Sequence, residues 1–264
     1  MFDSPDNRRE PPAFNVPAVI LWLIVVLLSF HVIGTFLTDE SLTKLILLFA
    51  LIPARYAPPD GFYQFYPGGW PADVWTLLSY SFLHATWMHI VFNLVWLLAF
   101  GTPVARRLGT IRFLIFYAVC AVAGAVVHLS AHAGEMAPVI GASAAVSGLM
   151  GGAARFVFLA DGPLGRLGQS FRGDTGGGQA PRAQASLRQA LSDPRVLIFV
   201  GVWIGLNLLF GTTGLTVTGE TVAIAWEAHL GGFAAGLLLF GLFDPIRRSP
   251  SGGPGNVGYG EWRG

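Results

Sequence analysis

Four residues of this chain have the side-chain types and spacing that nucleophilic chemistry requires. Ser143 is the third residue of the small-residue stretch GASAAVSGLMG (residues 141–151), His229 lies in AHLGG (228–232), and His89 and Asn93 lie four apart in HIVFN (89–93). All sit in apolar runs. A serine hydroxyl is almost never ionised at neutral pH, so as a nucleophile it needs a neighbouring base, and His229 is the candidate. The i, i+4 spacing projects His89 and Asn93 from one helix face, where Asn93 could donate to a developing oxyanion with His89 as a second donor. Pro138 and Gly141 disfavour an established helix, so helix is expected to begin near Ser143 itself. The first backbone amides would then lack intrahelical partners. Together with the positive end of the helix dipole, they would offer an oxyanion site beside the Ser143 hydroxyl.

The elements that must position these groups are membrane helices. Of 264 residues, 53% are apolar and only 12% charged, far from the quarter-charged makeup of a soluble domain. The expected fold is an all-α, multi-pass membrane protein. Crossing a hydrocarbon core takes roughly 20 apolar helical residues. Six windows qualify: Pro17 to Leu37, Trp75 to Gly101, Leu108 to Ala131, Val139 to Ala160, Arg195 to Phe210 and Thr221 to Phe243. If the amino terminus is cytoplasmic, 14 of the 16 lysines and arginines fall on the inner side and only Lys44 and Arg55 on the outer, so both termini are expected in the cytoplasm. The resulting organisation is a polar amino-terminal segment (1–16), a six-span domain (17–243) and a flexible Gly/Ser/Pro-rich cytoplasmic tail (244–264). Within the domain, residues 38–74 form an outer loop whose FYQFYPGGW suits the membrane interface, and 161–194 form a Gly- and Arg-rich cytoplasmic loop. The first span reads as a retained anchor.

Helical rise puts the candidates at one depth. Ser143 lies roughly 18 Å above Arg155, His229 roughly 22 Å above Asp244, and His89 roughly 18 Å above Gly101. That common level is roughly 10 Å below the outer surface, a floor for a water-filled cavity. A single serine in a membrane helix is ordinarily a packing or back-bonding residue, and Asn or His is often interhelical glue. The coincidence of several is harder to dismiss, because the GxxxG of Gly232 and Gly236 and the small residues around Ser143 would let the fourth and sixth spans approach closely.

Other groups carry less. Glu227, two residues before His229, points about 200° around the helix and reads as a rim charge rather than a third catalytic member. His84 suits a hydrogen-bonding role in the outer loop, and His31, His128 and His132 read as rim or packing residues. There is no HExxH motif, no Gly-Lys-Ser/Thr phosphate loop and no intramembrane Gly-Asp pair, so no metal, nucleotide or other cofactor is expected. With one cysteine, Cys120, there is no disulfide framework, and the scattered basic residues at a formal net charge of +1 argue against nucleic acid.

These motifs, GASA, AHLGG and HIVFN in that set of spans, resemble those of the rhomboid intramembrane serine proteases. The resemblance covers roughly residues 17 to 243 and implies a six-helix rhomboid-like bundle with Ser143 as nucleophile, His229 as base, and Asn93, His89 and the Ser143 amide at the oxyanion. It implies a serine endopeptidase acting on single- or multi-span membrane proteins in the bilayer; separately, the lack of a transit-peptide-like Arg/Ser-rich leader favours a bacterial inner membrane. Three positions depart from the family pattern. Ala144 replaces the glycine after the serine and would narrow the approach of the sixth span. Thr76 follows Trp75 where an arginine is usual, and Ser147 stands where some members stack a tyrosine on the histidine, so another side chain must orient the imidazole. A non-proteolytic rhomboid-like binding or quality-control factor is the alternative. A small-solute channel draws little beyond six spans.

Overall fold

A computed structural model describes residues 16–59, 66–159, 162, 164, 183–213 and 224–246. Everything described is helix, turn or extended connection, with one isolated antiparallel bridge between Leu51 and Val139. The helices are α1 (Ala18–Thr35), α2 (Asp39–Phe49), α3 (Pro53–Tyr56), α4 (Gly69–Ser79), α5 (Trp87–Trp96), α6 (Thr102–Leu108), α7 (Thr110–Ala131), α8 (Ser143–Ala153), α9 (Leu187–Ala190), α10 (Pro194–Thr213) and α11 (Trp226–Phe243). A π turn, Leu97–Gly101, joins α5 to α6 without interrupting the rod.

Five helical stretches are long and apolar enough to cross a membrane: Ala18–Thr35, Trp87–Leu108, Thr110–Ala131, Pro194–Thr213 and Trp226–Phe243. The protein is a multi-pass membrane protein. The expected span Val139 to Ala160 is realised as α8, only 11 residues long and about 16 Å in length. The expected span Trp75 to Gly101 divides. Residues 75–79 belong to α4, a 3₁₀ turn follows at Tyr80–Phe82, and the membrane-length helix starts at Trp87. Thr86 causes that start: its hydroxyl accepts the His89 amide at 3.2 Å as an N-cap, a signal that hydropathy counting overlooks. The polar termini 1–15 and 247–264, and most of the loop 161–182, lie outside the described residues.

α8 is the core of the bundle. Ala144 through Ala153 are all buried, with α7 and α11 packed on either side. Backbone, not side chains, makes the closest approach. A Cβ at Gly232 would strike the Ala144 carbonyl oxygen, and one at Gly236 the Gly148 carbonyl oxygen. Reciprocally, a Cβ on Gly151 would strike the Phe233 carbonyl. Ala144 does not narrow this contact as expected. Its methyl points to α7, where Gly124 leaves room for it, and only its carbonyl faces α11.

At the far end of the bundle Arg107 holds Asp244 through two hydrogen bonds, at 3.1 and 2.9 Å, with both side chains nearly buried. Arg155, also buried, donates to the Ala185 carbonyl at 2.9 Å and the Leu237 carbonyl at 2.6 Å. These charge-assisted bonds fix the end of α11 relative to α6 and α8, which sets its rise toward the opposite end.

Replacing Gly236 with Ala should therefore lower stability by about 1–3 kcal/mol or more, because a methyl must displace backbone rather than a pliant side chain. Gly201→Ala in α10, where a Cβ meets nothing within 4 Å, is the control and should be neutral or stabilising in the same thermal unfolding assay.

Candidate active site

The chain reaches Ser143 through a segment whose backbone is held by three other parts of the molecule. Val139 exchanges both hydrogen bonds with Leu51 (2.8 and 3.1 Å), the Gly141 amide donates to the Tyr80 carbonyl (3.0 Å), and the Ala142 amide donates to Nε2 of His84 (3.4 Å). Gly141 adopts φ +127°, a conformation closed to other residues, and a Cβ there would run into the His89 ring. Helix begins at Ser143, as the flanking Pro138 and Gly141 imply. The first intrahelical bond runs from the Val146 amide to the Ala142 carbonyl at 2.9 Å, so the amides of Ser143, Ala144 and Ala145 precede the ladder.

Ser143 and His229 meet. Serine Oγ lies 2.7 Å from His229 Nε2, with both residues half-buried and neither sealed. The other ring nitrogen, Nδ1, is 2.7 Å from Oδ1 of Asn207 on α10. The Asn207 amide nitrogen donates to the Trp203 carbonyl at 2.8 Å, which assigns the amide: Oδ1 is left as the acceptor for the imidazole. His229 Nδ1 thus carries the proton, Nε2 presents its lone pair, and the serine hydroxyl donates to it. An imidazole so placed can take the hydroxyl proton as the oxygen attacks an electrophile.

Asn207 was not anticipated, although the requirement for an orienting side chain was. Its signal was an amide within an otherwise apolar span; without the packing of α10 on α11, nothing in the sequence assigns it to His229. Ser147 is buried inside α8.

His89 and Asn93 lie as the i, i+4 spacing requires. Nε2 of His89 adjoins Gly141, whose own virtual Cβ position is 3.6 Å from Ser143 Oγ, so the imidazole and the hydroxyl flank the same glycine. Asn93 is buried and gives one N–H to the His89 carbonyl at 3.0 Å, leaving its second N–H for another acceptor. Glu227 turns away from the pair toward His128 and His132.

The histidines around the site are mutually supported. His84 packs its ring 5.0 Å from that of His89, and its carbonyl accepts Nδ1–H of His31 at 3.2 Å. His31 itself lies edge-on to Trp87. Burial, and secondarily His89, pushes the His84 pKa down to about 3, so it is a neutral acceptor for the Ala142 amide. The loop before α4 is tied down by Arg55 rather than by residue 76. The Arg55 guanidinium, 2% exposed, donates to the Leu47 and Pro67 carbonyls (2.6 and 3.2 Å) and to Asp73 (3.4 Å). Thr76 bonds the Tyr56 hydroxyl at 2.6 Å, and Trp75 Nε1 donates to the Leu48 carbonyl at 2.9 Å. Of the FYQFYPGGW segment, residues 62–65 lie outside the described residues.

Fold and site together define a multi-pass helical membrane protein with a serine–histidine pair at the head of its central helix. Residues 71–169 match the family model described as Rhomboid domain. It is 29% identical over 143 residues to Rhomboid-like protease 3 of Toxoplasma gondii, covering 54% of this chain and 50% of that protein. It is 27% identical over 165 residues to RHOMBOID-like protein 4 of Arabidopsis thaliana, covering 62% and 33%. Against Rhomboid protease GlpG of Haemophilus influenzae it is 35% identical over 48 residues, covering 18% and 25%. The chain thus spans half or less of the length of these curated relatives.

Two outcomes follow. Asn207→Ala should slow labelling of Ser143 by a fluorophosphonate about 10- to 100-fold while leaving the unfolding midpoint nearly unchanged, since it frees the ring to rotate and change tautomer; an unaltered rate would remove Asn207 from the site. For His84, the folded-state pKa lies below the ordinary 6.5, so the unfolded state binds more protons between pH 6.5 and about 3. Its contribution is present above pH 6.5 and declines as pH falls through that window, and His84→Gln should make stability less acid-sensitive there.

Proposed function

We propose that this protein is an intramembrane serine endopeptidase, cleaving peptide bonds in or near transmembrane segments of membrane-protein substrates. The observation that carries the reading is the 2.7 Å contact of Ser143 Oγ with a His229 ring whose opposite nitrogen is committed to Asn207. His229 takes the serine proton as the hydroxyl attacks the scissile carbonyl. Negative charge on that carbonyl oxygen is received by the Ser143 amide, with Asn93 and His89 as side-chain donors. His229 then returns its proton to the leaving amine, and water, activated by the same imidazole, releases the acyl group.

A substrate helix shields its carbonyls with its own hydrogen bonds, so it must unwind locally before attack. Substrates with helix-destabilising residues near the cut are expected to be preferred. In this reading residues 17–243 form the protease domain of a bacterial inner-membrane protein, with both termini cytoplasmic and Ser143 toward the outer face. Names of the relatives lend support: Rhomboid-like protease 3 and Rhomboid protease GlpG are both designated proteases.

Incubating the purified protein with a panel of single-span reporters, and mapping fragments by mass spectrometry, tests the proposal. Cleavage should fall by at least about 10⁴-fold in Ser143→Ala and in His229→Ala, and fluorophosphonate labelling should need both residues. Reporters that bind without being cut, with no labelling of Ser143, would instead make the chain a non-proteolytic binder.

A further inference from the structure

Beside the serine–histidine pair is a second cluster that this chemistry does not use. His128 and His132, one turn apart at the end of α7, stack their rings at 4.3 Å, and both face Glu227 in the first turn of α11. Glu227 Oε1 lies 3.1 Å from His132 Nε2, and its Oε2 lies 3.9 Å from His128 Nδ1. One donor atom from each residue falls within 4.8 Å of the others.

The contacts within this cluster do not by themselves fix its protons and electron pairs. Glu135 Oε1 is 2.9 Å from His132 Nδ1, so that nitrogen donates its N–H to the carboxylate. Nε2 then faces Glu227 Oε1 with either a second proton or a lone pair that a metal ion can take in that proton's place. His128 Nδ1 is in a side chain only 7% exposed, has no hydrogen-bond partner, and also faces that carboxylate. Two imidazole nitrogens and a carboxylate that converge on one point are the donor set a metal ion would share.

We propose that His128, His132 and Glu227 bind a divalent transition-metal ion of the zinc class, clamping the end of α7 to the first turn of α11. Bonds of 2.0–2.1 Å set tetrahedral ligands about 3.3 Å apart. Each imidazole nitrogen lies near one carboxylate oxygen, at 3.1 and 3.9 Å, and one atom from each residue falls within 4.8 Å of the others, so small side-chain shifts close the set around an ion. Two imidazoles and one carboxylate favour zinc, cobalt or nickel over magnesium or calcium, which prefer all-oxygen sites. Glu135 would act as the supporting partner, orienting His132 through its distal nitrogen. The framework is preorganised, because α7 and α11 already touch closely at Gly231, where a Cβ would meet Val127 at 2.8 Å. His132 and Glu227 are 25% and 16% exposed, which leaves an entry path. Sequence spacing gave no hint of the site, since one ligand comes from a helix about a hundred residues distant from the other two.

Glu227 stands two residues before His229, so an ion here would hold the start of the helix that presents the imidazole. Binding itself does not depend on proteolysis. The test uses the full chain, free of affinity tags, purified in detergent, stripped with a chelator and titrated with Zn²⁺ or, as a visible probe, Co²⁺. Expected are one zinc per chain by elemental analysis, a cobalt d–d spectrum of a four- or five-coordinate site, and an unfolding midpoint that rises with zinc. His128→Gln and His132→Gln should each weaken zinc affinity about 100-fold or more and Glu135→Gln about 10-fold, whereas millimolar Mg²⁺ should not compete. Ser143→Ala should bind as the unaltered protein does, which separates this proposal from the proteolytic reading. Absence of saturable binding by the unaltered chain, which requires no variant to fold, overturns it, as does stoichiometric binding that persists in His128→Gln/His132→Gln.

Discussion

The structure rests on the backbone contact between α8 and α11. A 2.7 Å bond between a serine hydroxyl and an imidazole requires their parent helices to approach more closely than side chains of ordinary size allow. Gly232 and Gly236 remove those side chains on one helix, and Gly148 and Gly151 on the other, so carbonyl oxygens of each lie against α-carbons of its partner. In lipid there is little hydrophobic force to draw helices together, so close van der Waals contact must do much of that work. The packing that stabilises the bundle is thus the same packing that sets the distance between Ser143 and His229. The two demands coincide in the sequence, where His229 sits three residues before Gly232 and Ser143 five before Gly148.

Much of this was legible in the residues alone because lipid limits what a polar group can do. In water, a Ser, His or Asn has solvent as a partner everywhere; in an apolar run each must find protein, so position becomes informative. Ser143, His229, His89 and Asn93 stood out on that ground. The start of α8 at Ser143 followed from Pro138 and Gly141, which act locally. What failed to show was whatever depended on a partner from a distant segment. Asn207 was visible only as an oddity in an apolar helix, and its Oδ1 acquires a purpose once α10 lies beside α11. The division of the Trp75 to Gly101 stretch was hidden because hydropathy averages over the Thr86 cap. Ala144 was misjudged because the direction of its methyl is set by the tilt of α8 relative to α7, and Gly124 had already made the room.

The loop between α1 and α4 shows the same accounting in another form. Arg55 lies almost wholly buried, and its guanidinium gathers the carbonyls of Leu47 and Pro67, which are otherwise ends of helix or turn without backbone donors. Leu51, two residues before α3 begins, pairs with Val139 and so connects this loop to the strand-like segment that precedes Ser143. Loop and Ser143 are therefore mechanically continuous: Leu51 holds Val139, Tyr80 holds Gly141, and His84 holds Ala142. Val139, Gly141 and Ala142 each have a backbone group held by another segment before the helix begins at Ser143. The amides of Ser143 and its two successors precede the helix ladder, whose first bond is from Val146 to Ala142.

Asn207 reaches His229 from the helix that is least embedded. Of α10, only Val196 is buried, and Leu197, Ile198, Val202, Leu206 and Leu209 are exposed, which in a bilayer means that they face lipid. Its hold on the rest of the bundle comes from a few contacts, among them the stacking of Trp203 on Phe233 at 4.4 Å and the bond from Asn207 to the imidazole. A rigid central helix therefore carries the hydroxyl, a tightly packed one carries the imidazole, and a loosely packed one carries the amide that fixes the imidazole's tautomer. Any outward displacement of α10 would release Nδ1 of His229 before it disturbed the glycine contacts that hold Ser143 and His229 together. The distance between the pair would survive such a motion, and the protonation pattern that makes the distance useful would not.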